Sequence, residues 1–170
     1  MLKVDLGRLG REGSVVLETQ VSAEDDFWKD SGIKWAGPVD FRLRTLFAGT
    51  GEVVVRGSVQ GPLQEECRRC TRPVENTLEE ELTLVYVSAD TEAESEEAGA
   101  YLFEPIAGAL DLSNAVREEI ILAINPYVVC DPKCSGLCPR CGVDLNQTVC
   151  DCGEVESDPR WEALRALKDR

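Results

Sequence analysis

VDFRLRTLFAGTGEVVVRGSV, Val39–Val59, is the stretch on which the reading of the fold turns. VDFRLRTLF and EVVVRGSV each show partial period-two alternation of apolar and polar residues, the pattern of strands with one buried face. Between them AGTGE, Ala48–Glu52, contains a GxG. A strand rather than a helix follows it, so it reads as a hairpin turn and not as a phosphate loop. Working outward, TLEEELTLVYVS up to Ser88 repeats the alternation, and SVVLETQVSA at Ser14–Ala23 adds another strand. An antiparallel meander is the simplest account.

Beyond the strands, LDLSNAVREEIILAINP spaces Leu112, Val116, Ile120 and Ile124 four residues apart, with Asp111 or Ser113 as N-cap and Pro126 as the stop. This predicts one main helix packed on the sheet. ADTEAESEEAGA, Ala89–Ala100, is acidic and without periodicity, and reads as a solvated, mobile loop. In DDFWKDSGIKWAGPVD, Trp28 and Trp35 are expected to cover an open edge or end of the sheet; an exposed partner-binding patch is the alternative. SDPRWEALRALKDR offers Asp158 as N-cap, Pro159 at the first helical position, and Trp161, Leu164 and Leu167 along one face, predicting a short amphipathic helix that must dock to be stable.

Composition narrows the function classes. The 170 residues are 43% hydrophobic and 29% charged, enough for one compact domain with an appendage. A formal charge of -14 repels phosphates over the surface as a whole, so RNA contact needs a local basic patch. MLKVDLGRLGREG lacks the apolar core and cleavage site of a secretory signal and is too acidic for a transit peptide, which predicts a cytoplasmic chain. No apolar run approaches the roughly 18–20 residues of a membrane span. The chain has no histidine, which removes Ser-His and Cys-His nucleophile pairs and histidine-metal catalysis.

The eight cysteines fall into pairs: Cys67 and Cys70 in CRRC, Cys130 and Cys134 in CDPKC, Cys138 and Cys141 in CPRCG, Cys150 and Cys152 in CDC. In a reducing compartment such pairs chelate metal rather than form disulfides. A thioredoxin-type role for CRRC fits poorly, because it lies between extended segments and precedes Pro73 rather than opening a helix. CPRCG is the most specific motif: the CxxC turn aims backbone N–H groups at the first sulfur, and Gly142 removes the Cβ where the chain reverses. Four thiolates close a structural zinc site, so the cysteines divide into two.

The short VDLNQTV connection favours CPRCG with CDC as one site, leaving Cys67, Cys70, Cys130 and Cys134 for the other. That second closure spans about sixty residues and costs about 3.6 kcal/mol plus a constant, against about 10–16 kcal/mol from zinc binding in finger-like peptides. A competing arrangement stays open, with Cys130, Cys134, Cys138 and Cys141 on one ion and CRRC with CDC on the other. Either way no coordination position is left for water, so the sites are structural. Eight thiolates around two zinc ions sum to about four negative charges. Arg68, Arg69 and Arg72 flank the first pair, where they offset that field; as the densest basic cluster they are also the candidates for RNA or partner contact.

The expected fold is therefore α+β: an antiparallel β-sheet or meander with one main packing helix, a Cys-rich zinc-binding segment and a short C-terminal helix. The expected organisation is a sheet domain over 1–128, a zinc module over 129–155 stapled to the CxxC at 67–70, and a C-terminal helix over 156–170.

CRRC after paired strands, the LDLSNAVREEIILAINP helix, CDPKCSGLCPRCGVDLN and the DPRWEALRALK tail, in that order, resemble the YceD family of large ribosomal RNA subunit accumulation proteins. The resemblance covers roughly Val53–Lys168, and GLCPRCGVDLN followed by CDC is its most specific part. It implies a non-enzymatic role in ribosome assembly, with precursor ribosomal RNA or a large-subunit ribosomal or assembly protein as partner, and neither a membrane nor a small-molecule substrate. Two readings from other classes stand beside it. One is a zinc-stabilised RNA-processing enzyme with Glu118 and Glu119 as Mg²⁺ ligands, although adjacent helical glutamates point about 100° apart. The other is a protein-interaction adaptor without RNA contact, using Trp28, Trp35 and the terminal helix.

Overall fold

The computed structural model describes residues 2–48, 51–89, 99–104, 108–153 and 160. Most of the acidic stretch at 89–100 and, apart from Arg160, the C-terminal helix expected over 156–170 lie outside them. In chain order the elements are β1 (Lys3–Asp5), α1 (Leu6–Glu12), β2 (Ser14–Val21), β3 (Val39–Phe47), β4 (Val53–Glu66), β5 (Pro73–Ser88), β6 (Tyr101–Phe103), β7 (Ala109–Asp111) and α2 (Ser113–Ala123). The α+β class is as read from the sequence.

The alternation in VDFRLRTLF becomes a strand with Val39, Phe41 and Leu43 buried and Asp40, Arg42 and Arg44 in solvent. β2, β3, β4 and β5 pair antiparallel in succession, and the β3–β4 hairpin is closed by the Ala48 N–H, which donates to the Glu52 carbonyl at 2.8 Å. The sheet is more than a meander. β6 joins it parallel to β5, a pairing that a hairpin turn cannot make. β1 and β7 form a separate antiparallel pair, joining the N-terminus to the entry of α2.

One face of the sheet is buried. Over it lie Leu9 of α1 and Val116 and Ile120 of α2. The predicted stop holds, with Ile124 already extended ahead of Pro126, but the capping position is Leu112, which makes no side-chain cap bond; Asp111 accepts the Ser113 N–H at 2.9 Å from one residue further out, and Ser113 is the first helical residue. β4 outruns β3, and Lys34–Ala36 cover its bare edge: the Gln64 N–H donates to the Lys34 carbonyl and the Ala36 N–H to the Pro62 carbonyl, each at 2.8 Å.

Trp28 and Trp35 are buried, at 5% and 8% exposure, with ring centroids 4.8 Å apart. They cover the sheet, and the alternative of an exposed tryptophan patch is overturned. Gly61 is the reason Trp35 fits, since a Cβ there would lie 2.9 Å from the indole. Each indole removes about 150–250 Å² from water, roughly 4–6 kcal/mol before entropy, which outweighs leaving it as a docking patch. Among the described residues no helix is long and apolar enough to cross a membrane.

Candidate metal centres

β4 ends at Glu66 and β5 begins at Pro73, and the six residues between them form the CRRC knuckle. The Cys67 N–H donates to the Arg72 carbonyl and the Thr71 N–H returns to the Cys67 carbonyl, both at 2.8 Å. CPRCG folds the same way: the Cys138 N–H donates to the Val143 carbonyl at 2.8 Å and the Gly142 N–H to the Cys138 carbonyl at 2.9 Å. Both turns need a left-handed residue after the second cysteine. Gly142 provides it at φ 74°, whereas Thr71 adopts φ 58° against its β-branched preference.

The structure gathers the eight thiols into two groups, Cys67, Cys70, Cys130 and Cys134 in one and Cys138, Cys141, Cys150 and Cys152 in the other, each with its sulfurs within 4.8 Å of one another. This is the grouping that connection length favours, and the competing one is not formed. Cys67 and Cys134 sulfurs are 3.9 Å apart and Cys70 and Cys130 3.5 Å; in the second group Cys138 and Cys150 are 3.3 Å apart and Cys141 and Cys150 3.5 Å. A tetrahedron with metal–sulfur bonds of about 2.3 Å has edges of about 3.8 Å. All eight cysteines are free thiols, so both groups fit a tetrathiolate metal centre.

Electrostatics within each group point the same way. The Cys67 thiol is drawn down to about 6, first by the Cys130 backbone N–H and then, against desolvation, by those of Cys70 and Arg69. Cys130 is pushed up to about 12, chiefly by its contact with the Cys70 sulfur. The second group repeats the split: Cys141 and Arg140 N–H groups draw Cys138 down to about 6, and the Cys150 sulfur pushes Cys152 up to about 12. Backbone donors thus ready one thiolate per group while the neighbouring sulfurs oppose full ionisation. A divalent cation at the centre would let all four ionise.

Around the sulfurs lies a shell built from both modules. Arg69 donates to the Cys134 carbonyl at 2.9 Å and the Pro132 carbonyl at 3.0 Å, and its own carbonyl accepts the Leu137 N–H at 3.0 Å. Asn146, in the loop between Cys141 and Cys150, donates to the Cys134 sulfur at 3.5 Å and accepts the Ser135 N–H at 2.7 Å. Asp144 pairs with Arg72 at 3.4 Å, and its carboxyl is held below the usual range, first by the Asn146 backbone N–H. Gly136, at φ 73°, lies against the first knuckle so closely that a Cβ would be 2.9 Å from the Arg69 carbonyl oxygen.

The residues from Val53 onward that carry these features can be compared with known families. The family described as "Large ribosomal RNA subunit accumulation protein YceD" matches residues 55–168. The chain belongs to the YceD family. An uncharacterized protein of Mycobacterium tuberculosis is 31% identical over 96% of this chain and 79% of its own length. A chloroplastic "Large ribosomal RNA subunit accumulation protein YCED homolog 1" of Arabidopsis thaliana is 35% identical over 40% of this chain and 21% of its own length. "Large ribosomal RNA subunit accumulation protein YceD" of Haemophilus influenzae is 37% identical over 42% of each chain. No solved structure matches this YceD chain.

Arg68, Arg69 and Arg72 are each exposed on the first knuckle, and each is already engaged. Arg68 donates to the Pro126 carbonyl at 3.1 Å and lies 4.9 Å above the Tyr127 ring; Arg69 and Arg72 hold the contacts described above. Glu118 and Glu119 approach the phenol of Tyr101, whose ionisation is pushed up to about 12 by burial first and by these carboxylates next. The roles of Thr71, Gly136, Asp144 and Asn146 were missed in the sequence. A GVDLN stretch following a knuckle is the one signal that could have pointed to Asp144 and Asn146.

Proposed function

We propose that this chain is a non-enzymatic, cytoplasmic ribosome-biogenesis factor that supports accumulation of large-subunit ribosomal RNA. The observation that carries it is the family match, which begins in β4 and runs through both sulfur centres. Each centre closes around one structural zinc ion, held by Cys67, Cys70, Cys130 and Cys134 in the first and by Cys138, Cys141, Cys150 and Cys152 in the second. All-thiolate tetrahedral ligation suits zinc, supplies folding energy and leaves no position for activated water. Precursor ribosomal RNA, or a large-subunit ribosomal or assembly protein, is the partner. The exposed Arg68, Arg69 and Arg72 are the contact, because a guanidinium has five donors and the carbonyl contacts of this knuckle leave some of them facing outward.

Depletion in the source cell tests the reading: mature large-subunit RNA should fall and its precursors change relative to small-subunit RNA. Unchanged levels of both would overturn it. Purified chain incubated with precursor RNA and Mg²⁺ should leave the RNA intact; cleavage or modification would move the assignment to the RNA-processing class.

A further inference from the structure

A groove of about 420 Å³ runs between the C-terminal end of α2, the loop ahead of Trp35 and the far end of β4. Ile33, Leu63, Ile121, Ile124, Pro126 and Val128 form the apolar part of its lining, beside Ser31, Gln64 and Asn125. Next in the chain to the lining residues Ile121 and Pro126, Leu122 is 79% exposed and Tyr127 68% exposed. On one rim Lys34 is bonded to Glu66 at 3.2 Å and Glu65 accepts from Asn76 at 2.9 Å, so Glu65 is the one carboxylate of the lining that no lining cation offsets.

The far wall is built by the first sulfur centre. The Arg68 N–H donates to the Val128 carbonyl at 2.9 Å, and its guanidinium holds Pro126 and overlies Tyr127. The groove therefore keeps its shape only while the CRRC knuckle does.

An apolar trough beside an exposed leucine on a packed helix is the form of a helix- or peptide-docking site. Carboxylates on the rim and a net charge of -14 disfavour both RNA phosphates and a second copy of the chain, and favour a cationic occupant. We propose that this groove docks a short basic, amphipathic segment of a partner protein. Its apolar side chains enter between Ile33 and Ile121 while its Lys and Arg residues lie over Glu65 and Glu66. The proposal deepens the assembly-factor reading and rests on it for the biological role of the partner; the binding itself can be measured without ribosomes.

The test uses the full chain in its source cells, with the photo-crosslinker p-benzoylphenylalanine placed at Leu122 and, separately, at Tyr127, and the crosslinked segment mapped by mass spectrometry. The expected product is a segment of another protein with net positive charge and apolar residues at three- to four-residue spacing. A synthetic copy of that segment should bind the metal-loaded chain in fluorescence anisotropy. Affinity should fall about tenfold or more with Ile121→Glu, whose site is 41% exposed and so leaves the fold intact, or with the pair Glu65→Lys and Glu66→Lys. Val16→Glu, on the opposite sheet face, should change nothing. Crosslinks to RNA from Leu122, or from either position to an acidic segment, to a second copy or to this chain's own residues 160–170, would overturn the proposal, as would no protein crosslink from a folded chain. Depletion that leaves ribosomal RNA unchanged while the segment binds would remove the ribosomal role and keep the groove; the reverse pair of results would do the opposite.

Discussion

At Cys67–Arg72 and again at Cys138–Val143 the chain makes the same hydrogen-bonded knuckle, yet the surroundings of the two diverge. Cys67, Cys70 and Cys134 are buried at 1%, 4% and 4% exposure, in contact with Val74, Val129 and Leu137, and Cys130 alone of that group is exposed; in the second group only Cys138 is buried, at 8%, while Cys141 is exposed and Cys150 and Cys152 are half-buried. The first centre joins a hairpin of the sheet to the segment after α2, and closing that loop of about sixty residues costs about 3.6 kcal/mol plus a constant. The second closes a loop of about ten residues, at about 2 kcal/mol plus the same constant. The about 10–16 kcal/mol that zinc supplies in finger-like peptides would offset either closure, so loop length is not the decisive difference. With a metal ion bound as proposed, the first centre would tie the sheet to the segment after α2, and the second would organise a local loop that leans on the first.

The comparison is broken most forcefully by removing a sulfur from each centre in turn. Cys134→Ser should cost on the order of 5 kcal/mol or more, because an open three-sulfur site loses most of its metal affinity in a buried setting. Hydrogen exchange should then show residues 126–137 unprotected while β2 to β5 stay protected. Cys152→Ser should release one metal ion and leave both those residues and the sheet protected. Equal losses from the two variants would mean that the centres do not differ as described.

Gly136→Ala comes next, at about 2 kcal/mol, since it combines a positive φ with a Cβ 2.9 Å from the Arg69 carbonyl oxygen. Chemical denaturation reads this directly, and a neutral result would show that the second module is not seated on the first. Asn146→Ala removes a donor to the Cys134 sulfur and the acceptor for the Ser135 N–H. Loss of such an outer contact should weaken metal at the buried centre about tenfold, as measured by competition with a chromogenic chelator. The smallest change is Thr71→Gly. Glycine relieves a left-handed β-branched residue at φ 58° and should stabilise the chain by about 1 kcal/mol, raising Tm by about 2–4 °C.

Much of this was legible beforehand because it rests on local pattern. Alternation in Val39–Val59, the four-residue spacing from Leu112 to Ile124 and the short VDLNQTV connection each carry their own physics, and each corresponds to a hairpin, a helix and a thiol grouping in the structure. What escaped depends on contacts between distant residues. Lys3–Asp5 is too short to read as a strand until Ala109–Asp111 is beside it, and a parallel β6 of three residues has no signature of its own. The burial of Trp35 was decided by the missing side chain at Gly61, and a threonine at a left-handed position contradicts the propensity that marked Gly142. Asn146 and Gly136 act on the first centre from the second, which spacing alone does not reveal.

Native mass spectrometry of the reduced, freshly purified chain, titrated with a strong chelator, tests most directly whether sulfur-bound ions hold the carboxyl-terminal part in place. Two zinc ions per chain should be found, the exposed centre should empty first, and loss of the second ion should shift the charge-state distribution towards an expanded form. A metal-free chain that stays compact at every chelator concentration would contradict the account.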